Sequence, residues 1–172
     1  MLKLMRIFWG ICRLRFNPQD LPKEKYLLIY AVFTGIVIDS FSSSILIPKL
    51  SNSEIVQTVI LYNLILLLAV YLLLKVVGFA ERGMQTVTAI AGSGVLISLV
   101  LLPALIVVNT KANAAVAFAF LILVDNIWRI SVNAHIFRHA LSIGLLMAMI
   151  VSVSYLLFGV LVADLLLPEI AS

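Results

Sequence analysis

The sequence predicts an all-α integral membrane protein, in which a bundle of five transmembrane helices follows an N-terminal amphipathic helix lying in the membrane plane. Hydrophobic residues make up 63% of the 172 residues and charged residues only 12%, whereas soluble domains are typically about 25% charged. Most charges lie in short segments between five long apolar runs, which leaves no room for a separate soluble domain. We therefore do not interpret the net charge of +4 as a sign of nucleic-acid binding.

Residues 1–16 predict the amphipathic helix, because basic residues recur at helical spacing on one stripe and apolar residues fill the remainder. The run is too short and too charged to span a bilayer. We expect it to lie among the lipid headgroups as an anchor, with docking to a partner as the alternative. The basic residues that we expect to face anionic lipids at this interface are Lys3, Arg6, Arg13 and Arg15. Residues 17–25 contain two prolines and predict a linker.

The five apolar runs define a single transmembrane domain, residues 26–172. The predicted spans cover residues 26–48, 55–77, 84–109, 114–134 and 141–167. In the third span, small residues from Ala89 to Gly94 suit close contact with another helix. The fourth run is purely apolar only from Ala114 to Val124, about half of the roughly 20 residues that a span requires. It therefore either carries Asp125 into the membrane or is re-entrant, and we favour the full span.

Asp125 and Arg129 are the candidate centre of the protein, because an acid and a base four residues apart share one face of a helix. A charged group deep in the bilayer costs about 2.5–3.5 kcal/mol on insertion scales, so such groups are paired or hydrated. The length of the fourth span places the pair in its inner half and Trp128 in the inner aromatic belt. From that position Arg129 could also extend to the headgroups.

Asp39, in the first span, is a further acid without a base nearby in sequence, and it shares a face with Gly35 and Ser43. We expect it to join the pair in a polar network inside the bundle. The candidate members of the network are Asp39, Asn63, Asp125, Asn126, Arg129 and Asn133. Two interpretations stay open: a structural seam that sets helix packing, or an ion pathway, proton pathway or polar ligand site.

Other motifs indicate no enzyme. His135 and His139 are spaced as two helical metal ligands could be, but no acidic third ligand is close in sequence. With Arg138 they are more typical of a basic turn at the cytoplasmic membrane surface. The single Cys12 excludes an intramolecular disulfide and a cysteine metal cluster. We therefore expect no catalytic residues, no metal and no cofactor.

The distribution of basic residues predicts the orientation. With the N-terminus inside, ten Lys and Arg residues lie on the cytoplasmic side or near it, and only Lys49 and Lys111 lie outside. This is a strong positive-inside bias. Five spans then place the C-terminus outside, and we expect the inner membrane of a bacterium.

Three stretches of the chain carry a family resemblance: LRFNPQDLP at residues 14–22, the Met84-Gln85-Thr86 entry to the third span, and WRISVNAHIFRHAL at residues 128–141. Together with the five-span layout, they resemble the Yip domain family, the five-span proteins of eukaryotic early secretory membranes and their short bacterial relatives. The resemblance implies a non-enzymatic integral membrane protein. The sequence shows no DLYGP-type motif, so no GTPase-binding residues are carried over.

The leading functional expectation is therefore a scaffold, adaptor or accessory subunit that acts through lipid and protein contacts. Its partner would be another membrane protein or further copies of the chain. The alternative is a small transporter or channel subunit that uses Asp39, Asp125 and Arg129. Five spans do not divide into two equal halves, which disfavours a carrier built from an inverted repeat.

Overall fold

The computed structural model describes residues 2–47, 50–110 and 115–166. Within these ranges it consists of one short N-terminal helix and five long apolar helices, which confirms the predicted fold class. The helices are α1 (Leu2–Cys12), α2 (Lys25–Leu46), α3 (Asn52–Val76), α4 (Gly83–Asn109), α5 (Ala115–Leu141) and α6 (Leu145–Leu166). Single turns of 3₁₀-helix, at Pro18–Asp20 and Ala80–Arg82, precede α2 and α4.

Each of the helices α2 to α6 is long and apolar enough to cross a membrane. The shortest of them have 22 residues and therefore extend about 33 Å, slightly more than the hydrocarbon core of a bilayer. The chain is an integral, multi-pass membrane protein by this criterion. The end residues 48, 114 and 167 of three predicted spans lie outside the described residues.

Helix α4 lies at the centre of the bundle and packs against α1, α2, α3 and α5, while α6 packs against α5 and α3. The first half of α4 is rich in small residues and almost entirely buried, including Ala89, Gly92 and Ser93. Small side chains allow neighbouring backbones to approach closely, which is the main source of packing energy between helices in lipid. The small-residue pattern of the sequence thus marks the helix that the others surround.

Polar contacts fix two of the helix ends. Ser51 caps α3, since its hydroxyl accepts from the Glu54 amide at 3.3 Å and its own amide donates to the Glu54 carboxylate at 2.9 Å. The Arg82 guanidinium donates to the carbonyl oxygens of His139 and Ala140, at 3.2 and 3.1 Å. These carbonyls belong to the last turn of α5, which has no helical partners for them. Arg82 therefore ties the α3–α4 connection to the end of α5.

Helix α5 is longer than the sequence predicted. It continues without interruption to Leu141, so residues 133–139 form helical turns and not the predicted basic turn. No glycine or proline occurs between Ala115 and Leu141, and the helix ends where Ser142 adopts a positive φ of 55°. His135 and His139 consequently lie one above the other on α5, with ring centroids 4.6 Å apart.

The N-terminal helix α1 docks on the bundle. Ile11 and Cys12 are buried, and the Phe8 ring packs directly over Gly92 of α4. The indole Nε1 of Trp128 in α5 donates to the Cys12 carbonyl at 3.1 Å. The sequence predicted that α1 is a lipid anchor, with docking to a partner as the alternative. In the structure, the surface on which α1 docks belongs to its own chain.

Candidate functional site: a polar chain between two cavities

The predicted ion pair forms within α5. The Arg129 Nε atom donates to both carboxylate oxygens of Asp125, at 2.8 and 2.9 Å. The exposed fractions of the two side chains are 33% and 29%, so both lie partly inside the bundle. The Nη2 atom of Arg129 points across to α4 and donates to the Ser98 hydroxyl at 2.8 Å. The guanidinium is thus held toward the bundle centre.

Asp39 of α2 joins the pair through Ser98, whose hydroxyl donates to its Oδ1 atom at 3.5 Å. The Asn63 amide of α3 donates to the Asp39 Oδ2 atom at 3.3 Å and to the Val59 carbonyl at 3.0 Å. A continuous polar chain therefore runs from Asn63 through Asp39, Ser98 and Arg129 to Asp125. It connects α2, α3, α4 and α5.

The chain of hydrogen bonds is not balanced in formal charge. It contains two carboxylates and one guanidinium, and the only carboxylate to which the guanidinium hydrogen-bonds in the described residues is that of Asp125. Among the described residues, the hydrogen bonds to Asp39 come only from the neutral groups Asn63 and Ser98. Asp39 is therefore the acid of the network that has no cation in hydrogen-bonding contact.

The pair lies near the middle of its helix. Asp125 is ten residues from the start of α5 at Ala115, and Arg129 is 12 residues from its end at Leu141. The sequence predicted a helix that ended at residue 134 and so placed the pair in the second half of that helix, whereas the helix continues to Leu141. Trp128 likewise lies at mid-helix, where its indole bonds to α1.

A cavity of about 480 Å³ reaches the polar chain from one side. All five long helices line it, through the C-terminal halves of α2, α4 and α6 and the N-terminal halves of α3 and α5. These halves converge at the end of the bundle where the α2–α3 and α4–α5 connections lie, so the cavity occupies that end of the central axis. We call it the large cavity.

A second cavity of about 130 Å³ lies on the other side of the polar chain, toward the level at which α1 docks. All five long helices line this small cavity as well. At about 30 Å³ per molecule in the liquid, its volume corresponds to a few waters. Six residues border both cavities: Asp39, Tyr62, Asn63, Arg129, Leu156 and Gly159. We call these six residues the waist. The waist includes most residues of the polar chain.

The remaining predicted site residues occupy different positions. Asn126 lines the large cavity, but its amide donates to the Ile122 carbonyl of its own helix and does not join the polar chain. Asn133 lines the small cavity. Arg6, Arg13 and Arg15 are exposed, as expected for an interface with lipid headgroups, whereas the side chain of Lys3 lies outside the described part of the structure.

The sequence alone did not identify Ser98, Tyr62 and Gly159 as members of the site. Ser98 carries the one hydroxyl group in the apolar run 95–108. This isolated polar residue was the sequence feature that could have identified Ser98 as a member of the site. A Cβ atom at Gly159 would lie 2.9 Å from the Tyr62 hydroxyl, so the absence of a side chain there admits Tyr62 to the waist. The packing of α3 against α6 brings these two residues together, and neither helix shows it by itself.

The stretches that carry the family resemblance meet at the end of the bundle that faces the N-terminal segment. The Gln85 amide donates to the carbonyls of Gln19 and Leu21, at 3.0 and 2.6 Å. The Gln19 amide in turn donates to the His139 carbonyl at 2.8 Å, and the His135 Nε2 atom lies 2.9 Å from the Phe16 carbonyl. Residues 12–21 are thereby fastened to α4 and α5.

In the part of the chain that the structure describes, no group of three or more His, Cys, Asp or Glu residues is arranged to hold a metal ion. The chain matches no family model, no curated protein and no solved structure.

Proposed function

We propose that this multi-pass membrane protein conducts or carries a small cation through the centre of its bundle, as a small transporter or channel subunit. The observation that supports the proposal is the position of Asp39 and Arg129, which border both cavities on the bundle axis. A solute that entered the large cavity would meet these ionisable groups before reaching the small one.

The cavities favour this function over a purely structural seam. Protein interiors are close-packed, with few voids larger than a water molecule. An ion pair that only set helix packing would be enclosed by such packing, whereas Asp125 and Arg129 border a cavity of about 480 Å³. Ionisable groups that face a cavity within a membrane domain are typical of ion and substrate pathways.

The test is a current measurement on purified protein in liposomes, with jumps of pH, of alkali cations and of organic cations. We expect a current above that of empty liposomes for at least one of these jumps. Gly159→Ala should reduce it severalfold, because the added Cβ would meet the Tyr62 hydroxyl in the waist. Gly144→Ala is the matched control, since a Cβ there meets nothing within 4 Å. No current under any of the three gradients would refute the proposal.

A second candidate function is the non-enzymatic scaffold or adaptor that the Yip resemblance implies, in the inner membrane of a bacterium. It is favoured by the meeting of Gln19, Gln85 and His139, one from each stretch of the resemblance. It is also favoured by the exposed Arg6, Arg13 and Arg15, since each basic residue near an anionic surface contributes about 1 kcal/mol of attraction.

Purification in a mild detergent tests this second function. A scaffold should retain a membrane-protein partner or further copies of the chain, and Gln85→Leu should weaken that retention by loosening the N-terminal segment. A monodisperse single chain that carries current in liposomes would rule out the scaffold.

A further inference from the structure

We infer that the large cavity binds a monovalent organic cation with an apolar body, and that the Asp39 carboxylate holds its charge. The inference rests on the proposed function in one respect, namely that the cavity admits a solute. It adds the chemical class of that solute and the residue that recognises it.

The charge of the solute follows from the hydrogen bonds of the polar chain. Arg129 directs its Nε atom at Asp125 and its Nη2 atom at Ser98, so its charge is held close to the Asp125 carboxylate. Asp39 receives only neutral donors among the described residues and borders the cavity, where a cation would find it. An anion would face two carboxylates across the same cavity, and its affinity would be lowered by like-charge repulsion.

The size and apolar character of the solute follow from the rest of the lining. Away from the polar chain, the cavity walls carry large apolar side chains, among them Leu46, Leu105, Phe118 and Ile122. Its volume of about 480 Å³ falls in the range of pockets for small organic molecules, roughly 300–1,000 Å³. A bare alkali ion would leave most of this space unfilled. An organic cation places its apolar groups against the walls and its charge at Asp39.

The small cavity limits how far the solute reaches. At about 130 Å³ it is too small for the same molecule. In the conformation described, the bound cation therefore stops at the waist, on the side of Asp39 that faces the large cavity, and its passage would require the small cavity to widen.

Equilibrium binding of tetraphenylphosphonium to the purified full chain in detergent tests the inference. Tetraphenylborate has the same shape and the opposite charge, so it serves as the matched probe. We expect saturable binding of the phosphonium and none of the borate. Asp39→Asn should weaken phosphonium binding at least about tenfold, while Asp39→Glu should largely preserve it.

Asp164→Asn is the control variant, because Asp164 is an exposed acid on α6 that does not line the cavity. It should bind the phosphonium as the unmodified protein does. Leu105→Trp keeps every charge of the protein and fills the cavity with a larger side chain. In contrast to the control, it should abolish phosphonium binding. Should Asp39→Asn not fold, Leu105→Trp together with the two probes still decides the question.

Equal binding of both probes, or phosphonium binding that survives Leu105→Trp, would overturn the inference. Currents driven by protons or alkali cations without phosphonium binding would also overturn it, while leaving the proposed function intact. Binding that depends on Asp39 without any current would support the site and refute transport.

Discussion

Arg129 is the side chain on which the centre of the bundle depends. Its bond to Asp125 was predictable, because residues i and i+4 meet on one helix face. Its bond to Ser98 was not, because α4 approaches α5 only in the folded bundle. Removal of Arg129 would leave Asp39 and Asp125 as two carboxylates with no neutralising partner between them.

Substitution of the pair should therefore be non-additive. We expect Arg129→Met to lower the free energy of unfolding by about 2 kcal/mol, below the roughly 3–5 kcal/mol of a fully buried pair, because both side chains are partly exposed. The double variant Asp125→Asn/Arg129→Met should be more stable than Arg129→Met, since one unpaired carboxylate is gone. Unfolding titrations in mixed micelles measure both. A double variant as unstable as Arg129→Met, or less stable, would contradict this account.

At the scale of elements, α1 is part of the bundle and not a separate anchor. Its inner side presents Phe8, Ile11 and Cys12 to α4, and its outer side exposes Arg6 and Trp9. The Cys12 thiol donates weakly to the Ser93 carbonyl, at 3.8 Å. Burial raises the pKa of this thiol to about 11, so only a minute fraction is the reactive thiolate at neutral pH.

Cys12, the single cysteine of the chain, therefore reports on the docking of α1. We expect N-ethylmaleimide to modify it much more slowly in the folded protein than in denaturing detergent. Gly92→Leu should accelerate the modification at least about tenfold, because its side chain would displace the Phe8 ring and expose the thiol.

Gly144→Leu is the matched control for this experiment, since its Cβ meets nothing within 4 Å. It should leave the rate unchanged. Modification of the unmodified protein at the rate of a free thiol would show that α1 is not docked in solution.

At the scale of the whole molecule, charge sets the orientation in the membrane. Without Arg129, which lies at mid-helix, nine of the ten basic residues predicted to lie on the cytoplasmic side remain. Lys49 and Lys111, the two residues assigned outside, lie beyond the described ranges. The bias stays strong enough to predict a cytoplasmic N-terminus.

Cysteine labelling tests this topology in a Cys12→Ser background. Asn52→Cys and Glu81→Cys introduce thiols at exposed positions, one at the first residue of α3 and one after the helix ends. Because one span separates them, an impermeant maleimide should label Asn52→Cys from outside intact cells and Glu81→Cys only after the membrane is opened. Labelling of both from the same side would contradict the five-span arrangement.

The sequence by itself determined the membrane class, the number of long helices and the pairing of Asp125 with Arg129. Each of these depends on composition, on periodicity or on residues four apart, which are local properties. It also named Asp39 and Asn63 as partners, because an acid and an amide inside apolar runs require polar neighbours.

Only the tertiary structure decided where the polar chain lies, what completes it and what surrounds it. The mid-helix position of Asp125 and Arg129 followed from the length of α5. A prediction based on the apolar run alone underestimates that length, because polar residues continue the helix. Ser98, Tyr62 and Gly159 entered the site through contacts between helices. The two cavities lie on the axis around which all five long helices meet, and their lining depends on how the helices pack, which no single helix shows.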